Sequence, residues 1–353
     1  METKVKRIAK EILYPGIFRE AGEIFLSEGI VGIPTETVYG LAAWVGSEAA
    51  VAKIYEAKGR PSDNPLIVHV WPGCTLEGIV AEIPPLARPL MEAFWPGPMT
   101  LVMKKDPRIT PRVTGGLDTV AVRMPSHPVT QALLSELKLP LVAPSANTSG
   151  RPSPTTARHV YDDLAGKIPL IIDAGPCGVG VESTVIDVTG EVPVILRPGA
   201  VTREMILSVC GAVEVDPAVT EGGMKDPKAV PKAPGMKYRH YAPKGRITVL
   251  RGGAEFWRKA LETRPEPEAS WVFILTDEKK EELAGLLPEG AKIYSLGSRA
   301  QPGEAAVRLF SALREMDDEG VAYAVAEDLP REGIGEAVMN RLLKAAGGDL
   351  RTE

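Results

Sequence analysis

Residues 58–70 read KGRPSDNPLIVHV, and this stretch decides how the first part of the chain is interpreted. Before it, Ala, Val and Ile recur at helical spacing in residues 48–57. Gly59 stands where a helix C-cap belongs, and Pro61 prevents the helix from continuing. The apolar run at residues 65–70 then predicts a buried strand. A helix, a short polar loop and a strand in this order are typical of an α/β fold.

The sequence on both sides repeats this alternation as far as residue 212. A short apolar strand is predicted at residues 30–34, and a polar turn at residues 35–40. We predict further strands at residues 100–104, 119–124, 140–143, 169–173, 183–188 and 193–196. We predict further helices at residues 128–138, 156–164 and 202–210. Because several of the strands follow one another without a helix, the pattern favours a twisted mixed sheet with helices packed on it.

The last third of the chain alternates more regularly. We predict strands at residues 247–250, 271–275, 292–295 and 322–326. We predict helices at residues 254–262, 278–287, 303–319 and 335–346. This order is typical of a smaller, parallel, Rossmann-like α/β domain. The expected organisation is therefore a first domain at residues 1–212, a Pro-rich linker at residues 213–245 and a second domain at residues 246–353.

Composition narrows the class of protein. The 353 residues are 44% hydrophobic and 25% charged, which is typical of a soluble globular protein with two domains. Residues 246–353 carry the whole formal net charge of −5, and the preceding residues are neutral. A general nucleic-acid binder usually has a basic excess, so neither part fits that class. No apolar run reaches the roughly 20 residues of a membrane span.

Cysteines and known motifs exclude several kinds of site. Cys74, Cys177 and Cys210 lie far apart, which favours a reducing cytoplasm and neither a disulfide framework nor a cysteine metal site. The sequence contains no GxxxxGK[ST], HExxH, CxxC or GxSxG motif. Residues 178–183, GVGVES, come close to a dinucleotide fingerprint, but the following STVIDV predicts a strand where that motif needs a helix.

Polar and basic residues nevertheless gather at the ends of predicted elements. Lys58 and Arg60 near Asn64 fit either a cationic helix cap or a polyphosphate site. Residues 144–150, PSANTSG, follow a buried strand and fit either an ordinary turn or a cradle for phosphate or carboxylate. Arg123 lies in an apolar strand and needs an anionic partner, from the protein or from a ligand. Such a site has no nucleophile–base pair and suits binding and orienting an anionic nucleotide and a second small substrate.

Several stretches together resemble the YrdC-like family. They are IPTETVYGL at residues 33–41, KGRP at residues 58–61, NPL at residues 64–66, SAN at residues 145–147, STV at residues 183–185 and RPG at residues 197–199. PGMKYRHYAP at residues 234–243 and the helix at residues 335–345 resemble the longer, two-domain form of that family. The resemblance extends over nearly the whole chain.

The resemblance implies a nucleotidyltransferase that acts in tRNA modification. L-Threonine, bicarbonate and ATP would give L-threonylcarbamoyladenylate and pyrophosphate, and a separate tRNA threonylcarbamoyltransferase would use the product beside the anticodon. Contact with tRNA is then not required. Mg²⁺ is expected to arrive with the ATP phosphates, with Asn147 helping to hold it, and no His or Cys metal site is expected.

The resemblance also implies residue roles. Lys58 and Arg60 would be catalytic. The ATP-binding residues would be Arg60, Asn64, Thr119, Ser145, Asn147, Ser153, Arg197 and Tyr241. The threonine-binding residues would be Thr37, His69, Arg123, Ser183 and, through its backbone, Ala143. A lid would be formed by Tyr238, His240 and Tyr241, with Tyr241 preferred as the residue that closes the site.

Three alternatives remain open from the sequence. An RNA-binding or ribosome-associated factor of the same fold would bind RNA in a salt-sensitive way without ATP. A nucleotide-binding regulatory protein would bind ATP without turnover. A carbamoyltransferase maturation domain usually carries cysteine pairs and extra domains, which this sequence lacks.

Overall fold

The computed structural model describes residues 1–8, 15–220, 230–237, 240–263 and 271–353. The chain divides into two compact units. The first comprises residues 1–149 and 153–238, and the second comprises residues 150–152 and 239–353. In the described residues, no helix is both long enough and apolar enough to cross a membrane.

The first unit is built on one mixed sheet. Its strands are β1 (Lys4–Arg7), β2 (Val31–Ile33), β3 (Gly40–Trp44), β4 (Ile67–His69), β5 (Met99–Lys104), β6 (Thr119–Arg123), β7 (Leu141–Val142), β8 (Leu170–Asp173), β9 (Thr184–Asp187), β10 (Val194–Arg197) and β11 (Glu214–Val215). Their order across the sheet is β1-β8-β2-β3-β7-β4-β6-β5-β9-β10-β11. Parallel pairs such as β4–β6 alternate with antiparallel pairs such as β5–β6, so the predicted mixed α/β fold is confirmed.

Helices of the first unit lie between these strands. They are α1 (Pro15–Leu26), α2 (Glu48–Lys58), α3 (Ala87–Phe94), α4 (Pro111–Thr114), α5 (Pro128–Leu137), α6 (Ala157–Leu164), α7 (Arg203–Cys210) and α8 (Pro217–Thr220). Helix α2 has the predicted ends. The Ser47 side chain accepts a hydrogen bond from the Ala50 amide, and Gly59 adopts the left-handed conformation (φ 62°) that ends the helix.

Several short elements differ from the sequence prediction. β1 has the charged sequence KVKR and lies at the edge of the sheet, where charged side chains are tolerated, so it has no apolar pattern to detect. β3 begins at the last residue of the predicted polar turn, and α3 was not predicted. β11 and α8 lie in the stretch read as linker, because β11 pairs with β10 as the last strand of the sheet.

The central strands of this sheet have two different faces, because side chains of a strand alternate in direction. One face belongs to the main apolar core, which includes Val68, Leu101, Val122 and Ile186. The other face carries a small separate cluster, formed by Ile67, Val102, Ala121, Val185 and Leu196 together with Ala233 and Met236. We call this second side of the sheet the open face.

The second unit contains a five-stranded sheet in which every strand is parallel. Its strands are β12 (Arg246–Arg251), β13 (Trp271–Leu275), β14 (Lys292–Ser295), β15 (Tyr323–Glu327) and β16 (Leu350–Thr352), in the order β14-β13-β15-β12-β16. Its helices are α9 (Ala254–Glu262), α10 (Asp277–Glu282), α11 (Pro302–Asp318) and α12 (Ile334–Ala345). The predicted parallel α/β domain is confirmed.

Two details of this unit were not predicted. Helix α10 ends at Glu282, whereas the sequence prediction extended it to Leu287. After Glu282 the chain forms turns instead of continuing the helix, and the Leu286 amide donates to the Leu283 carbonyl. Gly285 lies in this stretch, and glycine weakens helix formation. β16 is a short edge strand that pairs with β12 at the end of the chain.

Candidate functional site

A row of polar side chains crosses adjacent strands of the first unit. His69 on β4 lies opposite Arg123 on β6, and Arg123 lies opposite Thr100 on β5. The Thr100 hydroxyl is 2.8 Å from that of Ser183, which precedes β9. Arg197, at the end of β10, donates at 3.1 Å to both the hydroxyl and the carbonyl of Ser183. The sheet therefore brings four predicted site residues together in one row.

Arg123 is the most constrained member of this row. Its side chain is 4% exposed. Nη1 donates to the Thr37 hydroxyl at 2.8 Å, Nη2 lies 2.7 Å from the carboxylate of Glu36, and Nε donates to the Gly97 carbonyl at 3.4 Å. The sequence left open whether the anionic partner of Arg123 is protein or ligand, and the structure supplies a protein partner, Glu36.

Glu36 was missed by sequence reasoning. It lies between the two threonines of the motif TET, and its position inside a turn that otherwise lacks charge is the signal that could have identified it. Burial by itself would raise the pKa of Glu36. The positive charge of Arg123 and its hydrogen bond outweigh burial, so the pKa is lowered and the carboxylate stays ionised.

The loop that carries Glu36 is held by Thr35. The Thr35 hydroxyl accepts the backbone amides of Thr37 and Val38 at 3.2 Å and donates to the Val38 carbonyl at 2.6 Å. Thr35 therefore fills the turn-forming role that the sequence allowed for it. The hydroxyl of Thr37 instead faces Arg123.

His69 is neutral in this environment. Burial, followed by the nearby charge of Arg123, lowers its pKa to about 3. Its Nδ1 atom lies 3.0 Å from the Ile67 carbonyl, so His69 has the local partner of a satisfied core histidine. It also shares the open face with Arg123, since each lies two residues beyond a member of the open-face cluster.

A second polar group lies at the other end of the same strands. Lys58, at the end of α2, is buried to 1% exposure, and its ammonium donates to the carbonyls of Ser145 and Asn147. The Ser149 amide donates to the Lys58 carbonyl at 2.8 Å. The side chain and backbone of Lys58 therefore hold the loop that follows β7.

Arg60 is only partly buried, in contrast to Lys58. Its guanidinium donates to the carbonyl of Asn64 at 3.3 Å and to that of Pro65 at 3.0 Å. The side-chain oxygen of Asn64 is buried and has no hydrogen-bond partner among the residues that the structure describes. These groups belong to the loop that leads into β4.

Thr119 and Ala143 lie at this same end of the sheet. Thr119 begins β6, and the Ala143 amide donates to the Ile67 carbonyl at 3.0 Å, with Ser145 following two residues later. Ile67 and His69 are two residues apart on β4, so the contact of Ala143 with Ile67 lies roughly 7 Å from His69 along the strand. One extended ligand, or two adjoining ligands, can span that distance.

The remaining predicted residues have different surroundings. Ser153 is buried and donates to the carboxylate of Glu182, the neighbour of Ser183. Tyr241 is buried within the second unit with its ring 5.2 Å from that of Phe310, and it has a positive φ of 65°. The ring of His240 lies 5.5 Å from that of Tyr241. Tyr238 lies outside the described residues. The roles given to all of these residues stay predictions.

The described part of the linker, residues 230–237, packs on the open face. Ala233 and Met236 are buried in the open-face cluster. The Pro234 carbonyl accepts a hydrogen bond from Arg197 at 3.4 Å, and Lys237 forms an ion pair of 2.9 Å with Asp63. The linker therefore contacts both polar groups of the candidate site.

Metal ligands of the usual kind are not clustered. Within the described ranges, no group of three or more His, Cys, Asp or Glu side chains could hold a metal ion. Cys74, Cys177 and Cys210 are all free thiols. The polar groups of the site are thus cations, hydroxyls, amides and backbone groups, with Glu36 as the partner of Arg123.

Two family models match the sequence. The Sua5/YciO/YrdC model, described as telomere recombination, matches residues 23–199. A Sua5 C-terminal model, described as the C-terminal domain of threonylcarbamoyl-AMP synthase, matches residues 201–347.

Relatives with that enzyme name match over most of their length. A threonylcarbamoyl-AMP synthase of Bacillus subtilis is 46% identical, covering 93% of this chain and 92% of its own. One from Pyrococcus abyssi is 47% identical, covering 92% of each. Among solved structures, P. abyssi Sua5 complexed with L-threonine has a TM-score of 0.90 and 42% identity, covering 99% of both chains.

Proposed function

This chain belongs to the Sua5/YciO/YrdC family in its two-domain form, and we propose that it makes L-threonylcarbamoyl-AMP and pyrophosphate from L-threonine, bicarbonate and ATP. One observation carries most weight. The chain is similar along 99% of its length to a Sua5 structure that contains L-threonine. The transferase and tRNA-modification assignments follow from the same relatives.

The chemistry has two steps. The threonine amine adds to bicarbonate with loss of water and gives an N-carboxylate. A carboxylate oxygen of that carbamate then forms a bond to the α-phosphorus of ATP while the bond to the bridging oxygen breaks, and pyrophosphate leaves. Neither step needs a protein nucleophile, so positioning of the reactants and stabilisation of charge supply the catalysis.

We assign the row around Arg123 to threonine. A guanidinium has five N–H donors, and the contacts of Arg123 with Gly97, Thr37 and Glu36 use each of its three nitrogens once. Glu36 and Thr37 hold the guanidinium in place, so it can bind the substrate carboxylate without reorganising. Ser183 and the neutral His69 lie beside it, and Ala143 contributes backbone only.

We assign the group around Lys58 to ATP. Arg60 would contact the phosphates, and Lys58, which holds the loop of Ser145 and Asn147, would add positive charge where negative charge develops. Ser145, Asn147, Thr119 and Ser153 complete the proposed ATP contacts of this group. Arg197, which the family resemblance also assigns to ATP, lies instead in the row around Arg123, where it bonds to Ser183.

We propose that Mg²⁺ is bound with ATP. The buried side-chain oxygen of Asn64, which has no hydrogen-bond partner in the described part of the chain, is the type of ligand that Mg²⁺ prefers, and Asn147 lies in the adjoining loop. Mg²⁺ usually keeps several waters and uses substrate phosphates, which fits a site without a carboxylate cluster. When bound, the ion would neutralise phosphate charge.

The packing of residues 230–237 on the open face supports a lid at this site. Acyl-adenylates react with water, so a segment that covers the site protects the product. The lid roles of Tyr238, His240 and Tyr241 are proposed from the family resemblance. The product would pass to a separate tRNA threonylcarbamoyltransferase in the cytoplasm.

The decisive experiment is an assay of pyrophosphate release by the full-length protein, with threonine and bicarbonate each omitted in turn. We expect release to require both, and mass spectrometry to identify threonylcarbamoyl-AMP. Release that ignores threonine would indicate another acceptor or plain ATP hydrolysis. ATP binding without release would favour a regulatory protein, and salt-sensitive RNA binding without release would favour the RNA-binding alternative.

A further inference from the structure

The second unit has a cleft that the proposed function does not use. Two cavities of about 410 and about 280 Å³ share Arg299, Leu329 and Pro330 in their walls. Both include residues that follow the carboxyl ends of the parallel strands. Volumes of this order are typical of small-molecule sites.

The topology of the sheet makes this a favoured place for a ligand. The chain leaves β13 toward β14 on one side, but it leaves the neighbouring strand β15 toward β16 on the other side. Right-handed connections then place α10 and α12 on opposite faces, which opens a crevice at the carboxyl ends. Ligands of open α/β sheets bind in such crevices.

The larger cavity is richer in positive charge than the rest of its domain. Its walls carry four cations, Arg251, Lys279, Arg299 and Arg331, against three carboxylates. Residues 246–353 as a whole have a net charge of −5. The lining of this cavity is thus more cationic than the domain as a whole.

The carboxylates of the cleft are more deeply buried than its arginines. Glu327 is 4% exposed and Asp328 is 10% exposed, while Arg251 and Arg331 are 48% and 46% exposed. Glu327 accepts both the amide and the hydroxyl of Thr276, at 3.0 and 2.7 Å, and also pairs with Arg299. The buried carboxylates therefore hold the guanidinium groups in position, and the guanidinium groups face the solvent.

The smaller cavity is mainly apolar. Its walls include Pro302, Ala305, Leu329, Pro330 and Val338. It adjoins the guanidinium groups through Arg299. A ligand that fills both cavities needs an anionic group joined to a flat or apolar part.

We propose that this cleft binds a nucleoside phosphate, with the phosphate at Arg251, Arg299 and Arg331 and the base in the apolar cavity. One planar guanidinium group can donate two parallel hydrogen bonds to two oxygens of the same phosphate, so arginines suit this ligand. The site lies in a different unit from the proposed ATP site, so it is a second nucleotide site on the chain.

The test is calorimetric titration of the full-length protein with AMP, comparing wild type with Arg331→Glu and Arg251→Glu. Arg331 suits this purpose because it is exposed and its contact with Asp328 is 3.5 Å long, so its loss leaves the unit folded. Each substitution is expected to weaken one class of AMP binding by at least about 10-fold. Arg258→Glu, an exposed arginine on α9 outside the cleft walls, is the matched control and should change nothing.

Arg60→Ala separates the two nucleotide sites. In that background the remaining AMP binding should still be lost with Arg331→Glu. AMP affinity that is the same in wild type, Arg251→Glu and Arg331→Glu would overturn the proposal. Inorganic phosphate binding as tightly as AMP would overturn the nucleoside part of it. Threonine-dependent pyrophosphate release is measured separately. The two experiments therefore distinguish failure of the proposed nucleoside phosphate site from failure of the proposed enzymatic activity.

Discussion

The two units use their β-sheets in different ways. The first unit places functional side chains on the open face of a mixed sheet, as the row from His69 to Arg197 shows. The second unit places charged side chains at the carboxyl edge of a parallel sheet. A parallel sheet is covered by helices on both faces, so only its edge is left for a ligand. The mixed sheet leaves a face that a linker and substrates can cover.

Lys58→Ala should have the largest effect. Removing the buried ammonium leaves the carbonyls of Ser145 and Asn147 without this donor, which we expect to destabilise the first unit by about 2–4 kcal/mol. Pyrophosphate release should also be lost. Urea unfolding and the release assay measure the two effects. Lys53→Ala, on the exposed side of the same helix, is the control, and an unchanged stability of Lys58→Ala would contradict the assignment.

Arg123→Ala should weaken the binding of threonine more than the binding of ATP. The guanidinium is fixed by Glu36 and Thr37 at the proposed threonine end, so its loss should raise the KM for threonine by at least about 10-fold and the KM for ATP by less. Steady-state kinetics with each substrate varied in turn measure this. The opposite order would move Arg123 to the nucleotide.

Arg60→Ala tests the contrast between neighbouring cations. Arg60 is partly exposed and donates to carbonyls of its own loop, so its loss should cost less than about 1 kcal/mol of stability. Turnover should nevertheless fall by at least about 10-fold, because a phosphate contact is lost. If Arg60→Ala unfolded the unit as readily as Lys58→Ala, the distinction between the two cations would be wrong.

Thr276→Val should destabilise the second unit without changing the binding of threonine. The Thr276 hydroxyl donates to buried Glu327 and accepts the Lys279 amide at the start of α10. We expect a loss of about 1–2 kcal/mol in unfolding free energy. The KM for threonine should stay unchanged, since Thr276 lies outside the unit that holds the proposed active site. A raised KM for threonine would show that the two units are coupled.

Local signals explain why much of the fold was predictable. Helix α2 ends where Gly59 and Pro61 require it, and the apolar run before His69 forms β4. Long-range contacts explain what was not. The burial of Lys58 depends on a loop almost ninety residues later. The pairing of Glu36 with Arg123 joins the loop between β2 and β3 to β6, and two other strands of the sheet separate β3 from β6. A sequence pattern shows that such polar residues stand at unusual positions, but it does not identify their partners.

His69 should make the stability of the first unit depend on pH. Its pKa is lowered from the ordinary 6.5 to about 3 by burial and by Arg123, so between these values the unfolded chain binds a proton that the folded chain does not. Stability is therefore complete above pH 6.5 and falls as the pH drops towards 3. From pH 7 to pH 5 the loss should be about 2 kcal/mol for this group, measured by urea unfolding. Glu36, whose pKa is also lowered, adds a loss in the same direction only below about pH 4.5.

His69→Gln should make this fall clearly shallower. His127→Gln is the comparison, because burial also lowers the pKa of His127, but that side chain is less buried and its contribution should be smaller. Both variants are measured over the same pH range, so that other titrating groups cancel. If His69→Gln kept the full slope, His69 would not be held neutral on the open face. A protonated His69 would then lie beside the positively charged Arg123, and the proposed threonine site would have to include a cationic histidine.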